Sequence, residues 1–237
     1  MTASSLWVYL SADPLFWLTL TVVVWLVSDR IAVAFGRHPV VNPVLIAIVL
    51  VGAVLRLTGT PYKAYFEGAQ FVHFLLGPAT VALGVPLWRN RAVVRREIVP
   101  MAGALVVGSV VAIVSAIGIA SAFSASRAVV VSLAPKSVTA PVAMAISESL
   151  GGLPALTAAL VITTGIIGAV VVTPTMNALG IRDWAARGFA VGLASHGLGT
   201  ARAFMVHPIA GVFAGIAMGL NAIVTAILVP VIVGLLP

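Results

Sequence analysis

Residues 127–150 read RAVVVSLAPKSVTAPVAMAISESL, and residues 187–206 read RGFAVGLASHGLGTARAFMV. Each stretch is apolar at both ends and polar in the middle. The first is broken at Ala134-Pro135-Lys136-Ser137-Val138-Thr139-Ala140-Pro141, the second at Ala194-Ser195-His196-Gly197-Leu198-Gly199-Thr200-Ala201-Arg202. Proline removes a backbone donor and glycine loosens a helix, so each stretch predicts a helix interrupted midway. An interruption leaves N–H and C=O groups without helical partners. In an apolar medium that is tolerable only inside protein or beside water.

Composition says that the medium is lipid. The 237 residues are 61% hydrophobic and only 8% charged, with a mean hydropathy of +1.18. A soluble domain of this length needs roughly a quarter of its residues charged to cover its surface. Apolar runs long enough to cross a bilayer core recur on both sides of the two broken stretches. They predict spans at Leu15–Ala34, Pro43–Leu57, Phe71–Trp88, Pro100–Phe123, Leu156–Leu179 and Ile209–Leu235. The runs do not alternate in polarity, so they should be helices rather than barrel strands. Pro61 to Gln70 carries Lys63 and Glu67 beside Tyr62, Tyr65 and Phe66, the pattern of an interfacial helix. The expected fold is an all-α integral membrane protein. It has about six full transmembrane helices plus two interrupted segments, re-entrant or fully crossing. Residues 1–97 would form a scaffold-like region and residues 98–237 the region carrying the site.

Charge orients this arrangement. The net charge is +7, but the basic residues stand singly or in short runs between apolar spans, which argues against nucleic acid as a partner. The densest run, Arg89, Arg91, Arg95 and Arg96 against Glu97, marks a cytoplasmic loop. Arg30 and Arg37 then fall on the same side and the N-terminus outside, although Arg56 and Lys63 lie outside against the rule. Met1 to Ser28 lacks a positive leading region, so no cleavable signal peptide is expected. The absence of cysteine excludes disulfides, thiol catalysis and thiolate metal sites.

The two broken stretches also resemble each other. At an offset of 60, Arg127 matches Arg187, Leu133 matches Leu193, Ala134 matches Ala194 and Lys136 aligns with His196. After one inserted residue, Thr139-Ala140 matches Thr200-Ala201. If each segment dips in and returns on its own side, a repeat unit contains one full crossing. Consecutive units then have inverted topology.

Paired interrupted segments in corresponding positions point to a transport site at the bilayer midplane. A half-helix that begins inside the membrane directs free N–H groups and a positive dipole end at the cavity. Here those ends coincide with Lys136, Ser137, Thr139, Pro141, Ser195, His196, Gly197, Gly199, Thr200 and Arg202. The set is rich in donors, holds two fixed positive charges and contains no carboxylate within either break. It suits an anion. Arg202 could grip a carboxylate in a fork, with Lys136 as a point charge and the hydroxyls completing the shell.

Blander readings stand beside these. Lys136 and Arg202 could snorkel to an interface. His196 could carry a coupled proton or serve as a neutral hydrogen-bonding residue. Glu148 could relay a proton or pair with Lys136, or lie at the surface near Gly151-Gly152. Asn221, in the last apolar span, could bond a neighbouring helix or the substrate. Gly165, Gly168, Gly215 and Gly219 read as close-packing positions, and Asn42-Pro43 as a helix start. No hydrolase, phosphate-loop or dinucleotide motif occurs, and four scattered histidines with few acids make a poor metal cage. No catalytic residue, metal or cofactor is expected.

The run Leu133-Ala134-Pro135-Lys136-Ser137-Val138-Thr139-Ala140-Pro141-Val142-Ala143, with Leu156-Thr157-Ala158-Ala159 after it, resembles the LrgB/CidB family. So does Ala194-Ser195-His196-Gly197-Leu198-Gly199-Thr200-Ala201-Arg202-Ala203. A third signature of the family is similar to Phe74–Leu87, with Gly84 where alanine is common. The resemblance runs from about Asn42 to the C-terminus. It implies a multi-pass protein of a bacterial-type cytoplasmic membrane and two functional classes. One is a carrier of small monocarboxylates, since plastid relatives are described as glycolate/glycerate translocators and some bacterial members are associated with pyruvate. The other is a holin-like or antiholin-like regulator of murein hydrolases and lysis, beside an LrgA/CidA-type membrane partner. A chain this small could also need a homodimer to scaffold a moving part.

Overall fold

A computed structural model describes residues 13–38, 40–75, 78, 81, 82 and 84–235. Their regular elements are all helices, in two compact units that part between Gly84 and Val85.

The first unit contains α1 (Pro14–Ala34), α2 (Pro43–Thr58) and α3 (Tyr62–Phe74). Both α1 and α2 start on an acceptor side chain followed by proline. Asp13 accepts from the Leu15 N–H at 2.9 Å and Asn42 from the Val44 N–H at 2.8 Å. Proline has no N–H to orphan in a first turn, so these starts are sharp, as Asn42-Pro43 predicted. Trp17 is fully buried and meets the edge of Tyr65 on α3, ring centroids 5.9 Å apart. At Gly68 a Cβ would overlap the Pro14 carbonyl, so the approach of α3 to α1 depends on that glycine. The expected interfacial helix over 61–70 is thus part of α3 and runs on to Phe74.

The second unit opens with two short helices, α4 (Gly84–Arg89) and α5 (Arg91–Arg96), carrying the basic run. Then come α6 (Ile98–Ala122), α7 (Arg127–Leu133), α8 (Ala140–Ser149), α9 (Pro154–Ala178), α10 (Trp184–Val206) and α11 (Pro208–Gly234). Among the described residues, α1, α6, α9 and α11 are long and apolar enough to cross a membrane. The α2 helix is also apolar, but its 16 residues reach only about 24 Å at 1.5 Å per residue, short of a 30 Å core. The expected third span, Phe71–Trp88, lies partly outside the described residues, as does the signature Phe74–Leu87. Within it α3 ends at Phe74 and α4 begins at Gly84. Four long spans and one shorter apolar helix therefore stand where six full spans were expected. By the length and composition of these helices, the chain is a multi-pass helical membrane protein.

Both broken stretches are helical hairpins. In the first, α7 and α8 flank a break over residues 134–139, where it was expected. Val130, Val131 and Ala134 share one apolar cluster with Ile146, and Ser132 Oγ accepts from the Leu153 N–H at 2.8 Å, so the chain has turned back. In the second, the break is narrower than predicted. Only Ser195 (φ −132°, ψ 16°) and His196 (φ 43°, ψ −134°) leave helical geometry, and residues 197–202 are helical. Glycine in a helix interior costs only about 1 kcal/mol, and here it is needed: a Cβ at Gly199 would stand 2.8 Å from the Val191 carbonyl oxygen. Residues eight apart in a straight helix are about 12 Å apart. That contact therefore means that the halves 184–194 and 197–206 lie against each other. At the open end Trp184 stacks on His207, centroids 4.7 Å apart and planes 4° apart.

The hairpins lie on opposite ends of α9. The first half of α9 takes hairpin one from its mouth, where Thr157 Oγ1 donates to Ser147 Oγ at 2.8 Å, to its tip, where Val138 and Ala143 cluster with Val161. The second half takes hairpin two from its tip, where His196 meets Val161 and Gly165, to Val191 and Ala203 packed on Val172. The same holds along α11. Val229 and Val233 cluster with Val130, Val131 and Ile146 of hairpin one, whereas Ala210 and Ala214 cluster with Val191 and Ala203 of hairpin two.

Asp183 accepts from the Ala186 N–H at 2.7 Å and so starts α10. Losing such a cap costs about 1 kcal/mol. Asp183→Ala is expected to lower the melting temperature of the detergent-solubilised protein by a few degrees; an unchanged melt would mean that the cap contributes nothing.

Candidate functional site

The two tips meet beside α9, between Val161 and Gly168, and beside the middle of α11. Asn221 lies 13 residues into α11, about 20 Å along it, and Val161 about 10 Å into α9. Around them Ser137, Ser195, His196, Thr200 and Asn221 are all buried. His196 Nε2 donates to the Val161 carbonyl at 2.9 Å, and Thr200 Oγ1 donates to the His196 carbonyl at 2.8 Å. The Asn221 amide donates to the Leu193 carbonyl at 2.9 Å and, more weakly, to the Ser137 carbonyl at 3.5 Å. It accepts from Ser109 of α6 at 2.7 Å and from Thr225 at 3.1 Å.

His196 holds a positive φ that L side chains rarely adopt. Non-glycine residues in such conformations cost about 1–3 kcal/mol and are kept where the surroundings fix them. Here the ring is fixed by its bond to Val161 and by Gly165, whose missing Cβ leaves room for the imidazole. Gly168 makes the same room for the Ser195 hydroxyl. These two glycines are close-packing positions, as their sequence suggested. Gly219 is not: nothing lies within 4 Å of where its Cβ would stand.

Lys136 is half-buried in the first tip, and its Nζ donates to Ser137 Oγ at 3.4 Å. Thr139 precedes α8 and does not cap it with its side chain; Pro141, exposed, follows in the first turn. Two helix starts therefore open at the tips, α8 after Thr139 and the returning half of α10 at Gly197. Their N–H groups and positive ends accompany the Lys136 charge. The arrangement can hold a small anion by one ammonium, hydroxyls and main-chain N–H groups.

The other predicted residues stand further out. Arg202 is six residues beyond His196, about 9 Å down the returning half. There it lines a small cavity with Thr173, Met176, Trp184 and Arg187. Arg187 Nη2 donates to Asn177 Oδ1, its Nε to the Ile181 carbonyl, and its guanidinium lies 5.2 Å from the Trp184 ring centre. Glu148 is exposed in the last turn of α8, about 14 Å along that helix from Thr139. Among the described residues no group of three or more His, Cys, Asp or Glu could hold a metal ion.

Two features escaped the sequence reading. Gly188 and Gly192 abut α11 so closely that a Cβ on either would overlap the carbonyl of Ala210 or Ala214. The spacing Gly188-x-x-x-Gly192 against Ala210-x-x-x-Ala214 was a legible signal of close helix packing. The second is a cavity of about 360 Å³ between α6, the first half of α10 and α11. Met101, Ala104, Gly108, Phe189, Leu193 and Phe213 line its apolar depth, with Glu97 and Asp183 also in its wall. Apolar wall residues look like any other core residue in sequence, so no signal announced it.

The sequence model of the LrgB-like family matches residues 21–235. The chain is similar to the holin-like protein CidB of Staphylococcus epidermidis, 32% identical over 90% of this chain and 93% of that one. It is 31% identical to holin-like protein CidB of Staphylococcus aureus, over 92% and 95% of the two chains. It is also 35% identical to uncharacterized protein YwbG of Bacillus subtilis, over 90% and 94%. No solved structure matches.

Proposed function

Because the chain belongs to the LrgB-like family and its two hairpin tips meet between the ends of α9 and α11, we propose that it carries a small organic anion across the cytoplasmic membrane. The observation behind this reading is the junction at Val161 and Asn221, where two helix breaks face each other. If α9 and α11 cross the bilayer, the hairpins dip in from opposite faces and return, forming an inverted repeat. A site at that level is reachable from either side in turn. Lys136 is the cation at the tips and Ser137, Thr139, Ser195 and Thr200 the nearby hydroxyls. Arg202 and Arg187 stand toward the mouth of hairpin two and would gather anions there. His196 is the candidate for a coupled proton; Glu148 is too far along α8 to serve the tip directly.

The substrate class is a small monocarboxylate such as glycolate, glycerate or pyruvate. Residues 71–88 would complete the span count, and a homodimer would steady the moving part.

A second reading draws on the two staphylococcal relatives, which are named holin-like proteins and point to it more directly than to a carrier. On that reading the chain regulates murein hydrolases and lysis through oligomeric assembly and membrane permeability, with an LrgA/CidA-type partner. Purified protein in sealed liposomes separates the two. Saturable uptake of labelled glycolate, glycerate or pyruvate without leakage of a small dye is the expected result. Dye leakage with no saturable uptake would replace the carrier by the permeability regulator.

A further inference from the structure

The buried amide of Asn221 is bonded on every side: its donors reach the Leu193 carbonyl at 2.9 Å and, in a long bond, the Ser137 carbonyl at 3.5 Å, and its oxygen accepts from two hydroxyls. An amide has two donor hydrogens and an acceptor oxygen with two lone pairs, so nothing is left for a substrate. Each of these two carbonyls lies at a break and lacks a regular helical donor. A helix would give the Leu193 carbonyl the N–H of Gly197, which lies beyond the non-helical pair Ser195-His196. It would give the Ser137 carbonyl the N–H of residue 141, and Pro141 has none. Stranded carbonyls at membrane depth need a donor from elsewhere.

We propose that Asn221 is the positioning residue of the site: one side chain bonds both hairpin tips at the same level of α11, so that the two breaks are held together and rearrange as one. This builds on the reading of the paired tips as the working site. It assigns Asn221 to holding that site rather than to binding the substrate.

The chain has no cysteine, so spin labels can be placed at will. Cysteines replacing Ala145 on α8 and Ala201 on the returning half of α10, both exposed, report on the two hairpins. Electron–electron distance measurements in nanodiscs, without substrate, should give one narrow distribution for otherwise unaltered protein. Asn221→Ala is expected to widen it at least twofold or add a second population, with helix content by circular dichroism unchanged. Ser109→Ala with Thr225→Val spares both ties and should leave the width within about a tenth of the parent's. Should Asn221→Ala fail to fold, Asn221→Ser, with one donor, should also widen the distribution. A parent-like width in the Asn221 variants that fold, or equal widening in the Ser109/Thr225 variant, would overturn the assignment. The readout needs no transported substrate. Widened distances in a protein that carries no carboxylate would keep the tie and discard the carrier.

Discussion

Lys136→Ala is expected to lower the initial rate of labelled monocarboxylate uptake by about 10- to 100-fold at substrate concentrations below saturation. Lys136 is the cation at the meeting point of the tips, half-buried and backed by a neutral hydroxyl. Charged hydrogen bonds contribute about 1.5–3 kcal/mol, and each 1.4 kcal/mol is a factor of ten in affinity. Lys136→Arg keeps the charge but replaces a compact ammonium by a planar fork, so it should retain part of the rate. Alanine at 136 leaves the helices untouched, because residues 134–139 already lie outside α7 and α8. Wild-type uptake by Lys136→Ala protein in equal amount would remove the anion site from the first tip. Arg202→Ala, lower on hairpin two, should lose less if the tips are the tightest point.

Gly192→Val is expected to abolish the folded protein. The missing side chain at 192 is what lets the first half of α10 touch the Ala214 backbone, and a main-chain carbonyl cannot swing aside as a long side chain can. Overpacking a tight contact costs about 1–3 kcal/mol when side chains yield and more when backbone must move. With ΔG of unfolding only about 5–15 kcal/mol for typical domains, such a clash can remove the monodisperse species. Size-exclusion chromatography in detergent is the direct check. The control is Gly219→Ala on α11, where open space surrounds the glycine and alanine improves helix propensity. It should run and melt like the parent or better. A monodisperse, parent-like Gly192→Val would show that α10 does not approach α11 as closely as its geometry implies.

The site was only partly legible in sequence, for reasons that differ residue by residue. Proline at 135 and 141 disfavours a continuous helix, so the first break begins at Ala134 as expected and ends two residues sooner, with Pro141 in the first turn of α8. The second carries glycine rather than proline. Glycine permits a break without requiring one, and the actual reversal occurs at His196, whose side chain makes a positive φ rare. The two cations that sequence placed around one carboxylate stand apart, because Arg202 belongs to a continuous helical half running away from the tip that holds Lys136. Asn221 read as an even choice between neighbour and substrate. Thr225 is one turn away on the same helix, but the other three partners of Asn221, Ser109, Ser137 and Leu193, come from three separate stretches of chain, which local sequence cannot bring together.

What the sequence determined by itself was the medium, the helical class, four of the six expected spans and the two interruptions. Each follows from local chemistry: apolar runs must leave water, their backbone must bond within itself, and proline cannot donate. What only the tertiary structure decided was which way the interrupted halves turn and where their tips meet. That depended on close backbone approaches at Gly188, Gly192 and Gly199 and on stranded carbonyls finding one shared donor in Asn221. Such contacts join residues far apart in the chain, and their strength depends on distance in space rather than on spacing in sequence.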